Sequence, residues 1–269
     1  MIQVIESFEA VGARRDFFSL VEDDWEAVRT LVRMGNVLLR RNLFADEEVP
    51  SDYIYPEGYC VKPILEQIEM LADVLKLQPT ESLVYVKNLP RLPDGAEGWF
   101  AIASWHAVAE NYSTAVVKLF EIMDRLRNLE MTPGSWTNEK YFRQLPETQR
   151  AMAEICKQQS GDIIIIPAQF GLRHRGRSSC RAQTSFAVNE FGLGAFVSGC
   201  MLLTHPEREQ TLEQLHVLCA GDKYTRLCDE KFDHVPIIGY GDEKNQAYYS
   251  ARAENNSSDM LGAVTGFIS

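Results

Sequence analysis

Four arginines that lie close together are the residues of this chain best suited to hold a ligand. Between Gly171 and Asn189 the sequence has no acidic side chain, and its arginines are Arg173, Arg175, Arg177 and Arg181. A guanidinium group is a planar fork that binds phosphate or carboxylate through two parallel hydrogen bonds. The segment therefore predicts an anion-binding site, whose partner would be a small anionic molecule or the phosphate of a nucleic acid.

The same arginines also suit ion pairs, either within the protein or between the subunits of a homo-oligomer, and the sequence leaves these alternatives open. If the segment is extended, Arg173, Arg175 and Arg177 project to one side and His174 to the other, because side chains alternate along an extended chain. Gly176 would let the backbone turn or approach a ligand closely.

Three further residues are candidates for catalysis on an anionic substrate. His174 lies among the arginines, where nearby cations would keep it neutral and able to act as a base. Cys180 lies beside two arginines, and positive charge favours the thiolate. Glu190 could serve as a general acid or base, or only orient a guanidinium group. An enzyme requires these groups to converge in one cleft.

Composition narrows the classes of protein to which the chain can belong. The chain has 269 residues, and its 27 basic and 38 acidic side chains give a formal net charge of -11. Such a charge disfavours a broad nucleic-acid surface. The six cysteines are scattered without a C-x-x-C pair, so we predict no metal site and no cofactor. No targeting segment or membrane span is visible, which predicts a soluble cytoplasmic protein without a membrane partner.

Apolar periodicity predicts a mainly helical first half. Helices are expected over residues 25–39, after Pro63 and from Ser113. The β-prone run Ser82–Val86 predicts a strand. The aromatic residues between Trp99 and Tyr141 interleave with apolar ones, which favours core packing over a stacking surface.

The second half predicts most of the sheet. A helix starting at Pro146 leads into four consecutive isoleucines, Ile163–Ile166, which predict a strand buried on both faces and ended by Pro167. Residues 184–188 predict a further strand. The expected class is α+β (or α/β), helical in its first half and with a mixed β-sheet concentrated in the second half. We expect a single globular domain over 1–269, with a subdomain boundary near 131–136.

Overall fold

The computed structural model of this chain describes residues 30, 47–127, 130–131, 142–208, 211–225, 231–241 and 246–268. Within the chain, Glu47–Ser269 forms one compact unit, and the fold described below is that of this unit. Apart from residue 30, the helix predicted over 25–39 lies outside the described residues, and so does the boundary predicted near 131–136 apart from residue 131. The single domain over 1–269 stays a prediction.

The described residues form seven α-helices, which are numbered here in chain order. They are α1 (Ile64–Leu75), α2 (Thr80–Tyr85), α3 (Trp105–Val108), α4 (Tyr112–Arg127), α5 (Pro146–Gln158), α6 (Ser179–Gln183) and α7 (Ala195–Thr204). Short 3-10 turns lie at Val86–Asn88, Leu172–His174 and Pro206–Arg208. The predictions for α1, α4 and α5 are confirmed, and Pro146 occupies the first turn of α5, where its missing N–H costs no hydrogen bond.

Two sheets account for the described strands. The first consists of β1 (Gly98–Ala103), β4 (Ile163–Gln169), β5 (Glu190–Gly192) and β11 (Thr265–Phe267). Its strands lie in the order β1-β4-β11-β5, and every pair of neighbours is antiparallel. The second is mixed and contains β2 (Glu130–Met131), β3 (Phe142–Gln144), β6 (His216–Leu218), β7 (Asp222–Tyr224), β8 (His234–Gly241), β9 (Gln246–Ala253) and β10 (Leu261–Ala263). The class is α+β, and most strands follow Gly161, as predicted.

The strand β4 forms the centre of the first sheet, and every one of its residues is buried. This confirms the interpretation of the isoleucine run. The prediction that Pro167 ends the strand is wrong, because β4 continues to Gln169. Proline is tolerated at this point because pairing with β11 starts only at Ala168, so Pro167 has a paired residue only in β1.

The side-chain amides of two buried glutamines bond to backbone groups of β1 and β4 that no described neighbouring strand pairs with. On β1, the Gln67 side chain accepts from Ala101 N–H and donates to the Trp99 carbonyl. On β4, the Gln159 side chain accepts from Ile165 N–H at 2.8 Å and donates to the Ile165 carbonyl at 2.7 Å. Buried backbone groups need partners, so each amide takes the role of a neighbouring strand.

Two other predicted strands are corrected by the structure. Ser82–Val86 is part of α2 and the following 3-10 turn, because only Ser82 is buried there and the β-prone Val84 is 60% exposed. With no sheet face to cover, the local β propensity does not decide the conformation. Residues 184–188 form turns after α6, and the strand β5 begins only at Glu190.

A fully buried arginine holds the chain where it leaves β4. Arg208 donates to the Leu215 carbonyl at 2.6 Å and to the Phe170 carbonyl at 3.1 Å. Its guanidinium lies 4.1 Å from the centre of the Tyr55 ring, in cation–π geometry. These contacts fix Phe170, which directly precedes the arginine-rich segment.

Candidate functional site

The arginine-rich segment leaves β4 through a tight turn at Gly171. This glycine has a φ of +114°, and a β-carbon there would lie 2.7 Å from the Gly262 carbonyl oxygen, so only glycine fits without strain. The chain then forms the 3-10 turn Leu172–His174 and, after four residues, the helix α6. The segment is therefore not extended, and the predicted alternation of Arg173, Arg175 and Arg177 on one side does not apply.

The structure brings His174 and Glu190 together in the interior. His174 Nε2 lies 2.7 Å from Glu190 Oε1, and both side chains are at most 1% exposed. Arg177 Nη1 lies 3.1 Å from His174 Nδ1. Because a guanidinium only donates, Nδ1 must accept, and the proton of a neutral imidazole then lies on Nε2 and is donated to Glu190.

Further donors surround the Glu190 carboxylate. Thr265 Oγ1 donates to Oε1 at 2.7 Å, while Ala187 N–H and Arg173 Nε donate to Oε2 at 3.0 and 3.3 Å. Burial by itself raises the pKa of Glu190. The hydrogen bonds from His174, Ala187 and Thr265 outweigh that effect and lower the pKa to about 2, so the carboxylate is ionised at neutral pH.

Arg177 and Arg181 share a second carboxylate, that of Glu48. Arg177 Nε donates to Glu48 Oε1 at 3.0 Å, and Arg181 Nε donates to Oε2 at 2.6 Å. The hydrogen bond from Arg181 contributes most to lowering the pKa of Glu48. Next to this pair, Ser178 Oγ donates to Glu47 Oε2 at 2.6 Å.

The other two arginines, Arg173 and Arg175, make fewer contacts with carboxylates. Arg175 Nη1 donates to the Tyr53 carbonyl at 3.2 Å. The Arg173 side chain is 41% exposed, and Nε is the nitrogen that contacts Glu190. Cys180 is buried on α6, where its backbone N–H donates to the Glu254 carbonyl. Three of the four guanidinium groups thus contact a carboxylate, Arg173 that of Glu190 and Arg177 and Arg181 that of Glu48. This favours the internal-pairing alternative for Arg177 and Arg181.

A cleft of about 720 Å³ lies elsewhere on the fold, between the end of β1, the helix α5 and the start of α7. Its aromatic wall contains Trp105, His106, Tyr112 and Phe196, and its polar lining contains Ser104, Gln144, Gln149, Lys157 and Gln159. The Trp105 and His106 rings stack at 3.5 Å, while Trp105 meets Tyr112 edge to face at 6.1 Å. Small-molecule sites commonly have this size and this mixture of aromatic and polar groups.

A buried carboxyl group, that of Asp222, contacts one of the aromatic residues that line the cleft. The Tyr112 hydroxyl donates to both of its oxygens, at 3.0 Å each, and Ala195 N–H at the start of α7 donates to Oδ2 at 2.5 Å. Burial raises the pKa of Asp222 to about 7, although these donors favour the ionised form. This carboxyl group therefore fixes the orientation of the Tyr112 ring in the cleft wall.

The sequence predicted no ligand site at this cleft. Trp105 and Tyr112 belong to the aromatic-rich zone that was interpreted as core packing; both do pack against the core, and both also line the cleft. Trp136 and Tyr141 of the same zone lie outside the described residues. The density of aromatic residues was thus the sequence signal that could have indicated the cleft. The residues of α5 and α7 that complete its lining are distant in sequence from Trp105 and Tyr112.

Among the described residues, no group of three or more His, Cys, Asp or Glu side chains is placed to hold a metal ion. Over the same residues, no helix has the length and apolar character required to cross a bilayer. Comparison with protein-family models, with curated proteins and with solved structures finds no match to this chain.

Proposed function

We propose that this protein binds a small, flat and largely apolar molecule in the cleft between β1, α5 and α7. The observation that carries the proposal is the composition of the cleft, in which Trp105 and Tyr112 supply flat apolar surface. Lys157 also lines the cleft; its ammonium group is paired with Glu154 at 2.9 Å, and exchanging that partner for the ligand would favour a ligand with a negatively charged edge. Aromatic walls exclude water from the faces of such a ligand and stabilise it through the hydrophobic effect.

The proposal is tested with the fluorescent probe anilinonaphthalene sulfonate, which has an aromatic body and one negative charge. Ala153 faces the cleft from α5, so Ala153→Phe should fill the cleft and weaken binding of the probe by about tenfold or more. Gln158→Phe adds the same ring at an exposed position of α5 outside the lining and is the matched control. Equal affinity of the two variants for the probe would refute the proposal.

Cys156 offers an independent measurement, since it lines the cleft and reaches solvent. A molecule bound in the cleft should slow alkylation of this thiol. The rate at Cys60, which is exposed and is not part of the lining, should stay unchanged at the same probe concentration. Equal protection of both thiols would show that the probe acts non-specifically.

Anion binding by the arginine-rich segment is a second candidate function, and it is favoured by the exposure of Arg173. Arg173 and Arg175 each have guanidinium nitrogens outside the hydrogen bonds described above. Inorganic phosphate should then raise the melting temperature of the protein, and the increase should shrink as salt rises. Arg173→Ala and Arg175→Ala should reduce the increase, whereas Arg150→Ala, at an exposed pair on α5, should not.

Catalysis by His174, Cys180 and Glu190 stays a prediction. Support for it is limited to the contact between His174 and Glu190, and both of these side chains are buried. A substrate would have to reach an imidazole whose two nitrogens already have partners in Arg177 and Glu190. Binding in the cleft therefore has the better support.

A further inference from the structure

The segment Glu47–Val49, called here the acidic strand, lies antiparallel to the edge formed by Gly176–Ser178, called here the receptor edge. Val49 N–H donates to the Gly176 carbonyl at 2.8 Å, and Ser178 N–H donates to the Glu47 carbonyl at 2.9 Å. These backbone hydrogen bonds are those of a short added strand. Recognition of an extended peptide by strand addition uses the same bonds and depends little on side-chain identity.

The side chains add selectivity for negative charge. Glu48 lies between Arg177 and Arg181, so two guanidinium groups face one carboxylate, and Glu47 is held by Ser178 Oγ. The Glu48 side chain is 34% exposed, and the two arginines are 25% and 26% exposed. The contact is thus open to solvent on one side, and a competing carboxylate can approach it.

The receptor edge is also shaped for the close approach of another backbone. Gly176 has a φ of +76°, and a β-carbon at this position would collide with the Val49 carbonyl oxygen. Glycine is therefore required twice at this residue, by its own conformation and by the strand that lies against it. This requirement is independent of the charges, and it leaves the receptor edge accessible to the backbone of a neighbouring strand.

We propose that the receptor edge, together with Arg177 and Arg181, is a binding site for an acidic extended segment of another protein chain. In this structure the acidic strand of the same chain occupies the site and so acts as its internal competitor. The partner would place one carboxylate between the two guanidinium groups and pair its backbone with Gly176 and Ser178. This inference does not depend on ligand binding in the cleft.

Internal occupation has a measurable consequence. A segment that is part of the same chain competes at an effective concentration of about 1 mM or higher, so it masks the site from dilute peptides. Weakening the acidic strand should therefore expose the site. Because the bonds are charge-assisted, binding of an external peptide should weaken as salt rises.

The test uses a fluorescein-labelled peptide with the sequence of residues 45–51 and measures fluorescence anisotropy. The protein variant Glu48→Ala should bind this peptide about tenfold more tightly than the wild type, because the internal carboxylate no longer competes. Asp73→Ala removes one exposed negative charge elsewhere and should bind as the wild type does. Adding Arg177→Met and Arg181→Met to Glu48→Ala should abolish binding.

A second variant covers the case in which Glu48→Ala does not fold. Val49→Pro removes the N–H that is donated to Gly176 and leaves every charge in place, so it should also increase peptide affinity. Equal affinity of the wild type and the opened variants, or no binding to any of them, would overturn the inference. The inference would also be overturned if a peptide carrying glutamine at the position of Glu48 bound as tightly as the original peptide. A single-stranded oligonucleotide that displaced the labelled peptide as well as the unlabelled peptide does would overturn it too.

Discussion

Replacing Asp222 with asparagine should change how the stability of the protein depends on pH. Asp222 is fully buried, and its contacts are neutral donors, the Tyr112 hydroxyl and Ala195 N–H. Burial in these surroundings raises the pKa of the carboxyl group from its ordinary value of 3.8 to about 7. The folded protein therefore keeps a proton that the unfolded chain has already released.

The direction and size of the effect follow from proton linkage. Between pH 3.8 and about 7 the folded state binds more protons at this site than the unfolded state does, so stability falls as pH rises through this window. Each pH unit costs about 1.4 kcal/mol, which amounts to about 4 kcal/mol across the window. Above the window both states are ionised and the loss is complete. The pKa of Glu190 is lowered from 4.5 to about 2, so its contribution to the stability of the protein changes mainly below pH 4.5. It therefore does not mask the pH dependence that Asp222 causes.

The assay is equilibrium unfolding in urea, repeated at intervals from about pH 4 to about pH 8 for the wild type and for Asp222→Asn. The free energy of unfolding of the wild type, minus that of the variant, should fall by several kcal/mol over this range because asparagine does not titrate. Parallel profiles for the two proteins would refute the reasoning. If Asp222→Asn does not fold, Tyr112→Phe provides the test. It removes a donor to the ionised carboxylate and should extend the window to higher pH.

Two further predictions concern the buried arginine and the cysteines. Arg208→Met should lower the free energy of unfolding by about 2–6 kcal/mol, because the carbonyls of Phe170 and Leu215 lose their donors and each costs about 1–3 kcal/mol. A loss below about 1 kcal/mol in urea unfolding would contradict this account. Iodoacetamide should alkylate Cys60 faster than Cys156 in the native protein, since burial raises the pKa of the Cys156 thiol and lowers its thiolate fraction. Mass mapping of the labelled peptides measures both rates, and faster labelling of Cys156 would be the contrary result.

Local sequence patterns were sufficient for several elements. The isoleucine run predicted β4 because a strand buried on both faces needs apolar residues at consecutive positions. The apolar stripes predicted α1, α4 and α5 because a helix that covers a sheet repeats its buried face every three to four residues. The same reasoning failed at Ser82–Val86, where Leu83 and Val84 face solvent and a helix and a 3-10 turn form instead.

The candidate sites depended on contacts that no local pattern contains. The arginines were visible in the sequence, but Glu48, which pairs with Arg177 and Arg181, lies more than a hundred residues earlier. The cleft joins Trp105 and Tyr112 to side chains of α5 and α7. The spacing of apolar residues along a helix or strand reports which face of that element is buried. It does not report which residues of two different elements line the same cleft.

The sequence by itself determined the α+β class, the buried central strand and the unusual density of arginine after it. Tertiary structure alone decided which of those arginines are already paired, that His174 and Glu190 meet in the interior, and that the amides of Gln67 and Gln159 replace missing strands. The physical reason is that a polar group is satisfied by whichever partner the packed chain brings within about 3 Å. That distance is set by the fold, whereas helix and strand periodicity arise from neighbours along the chain.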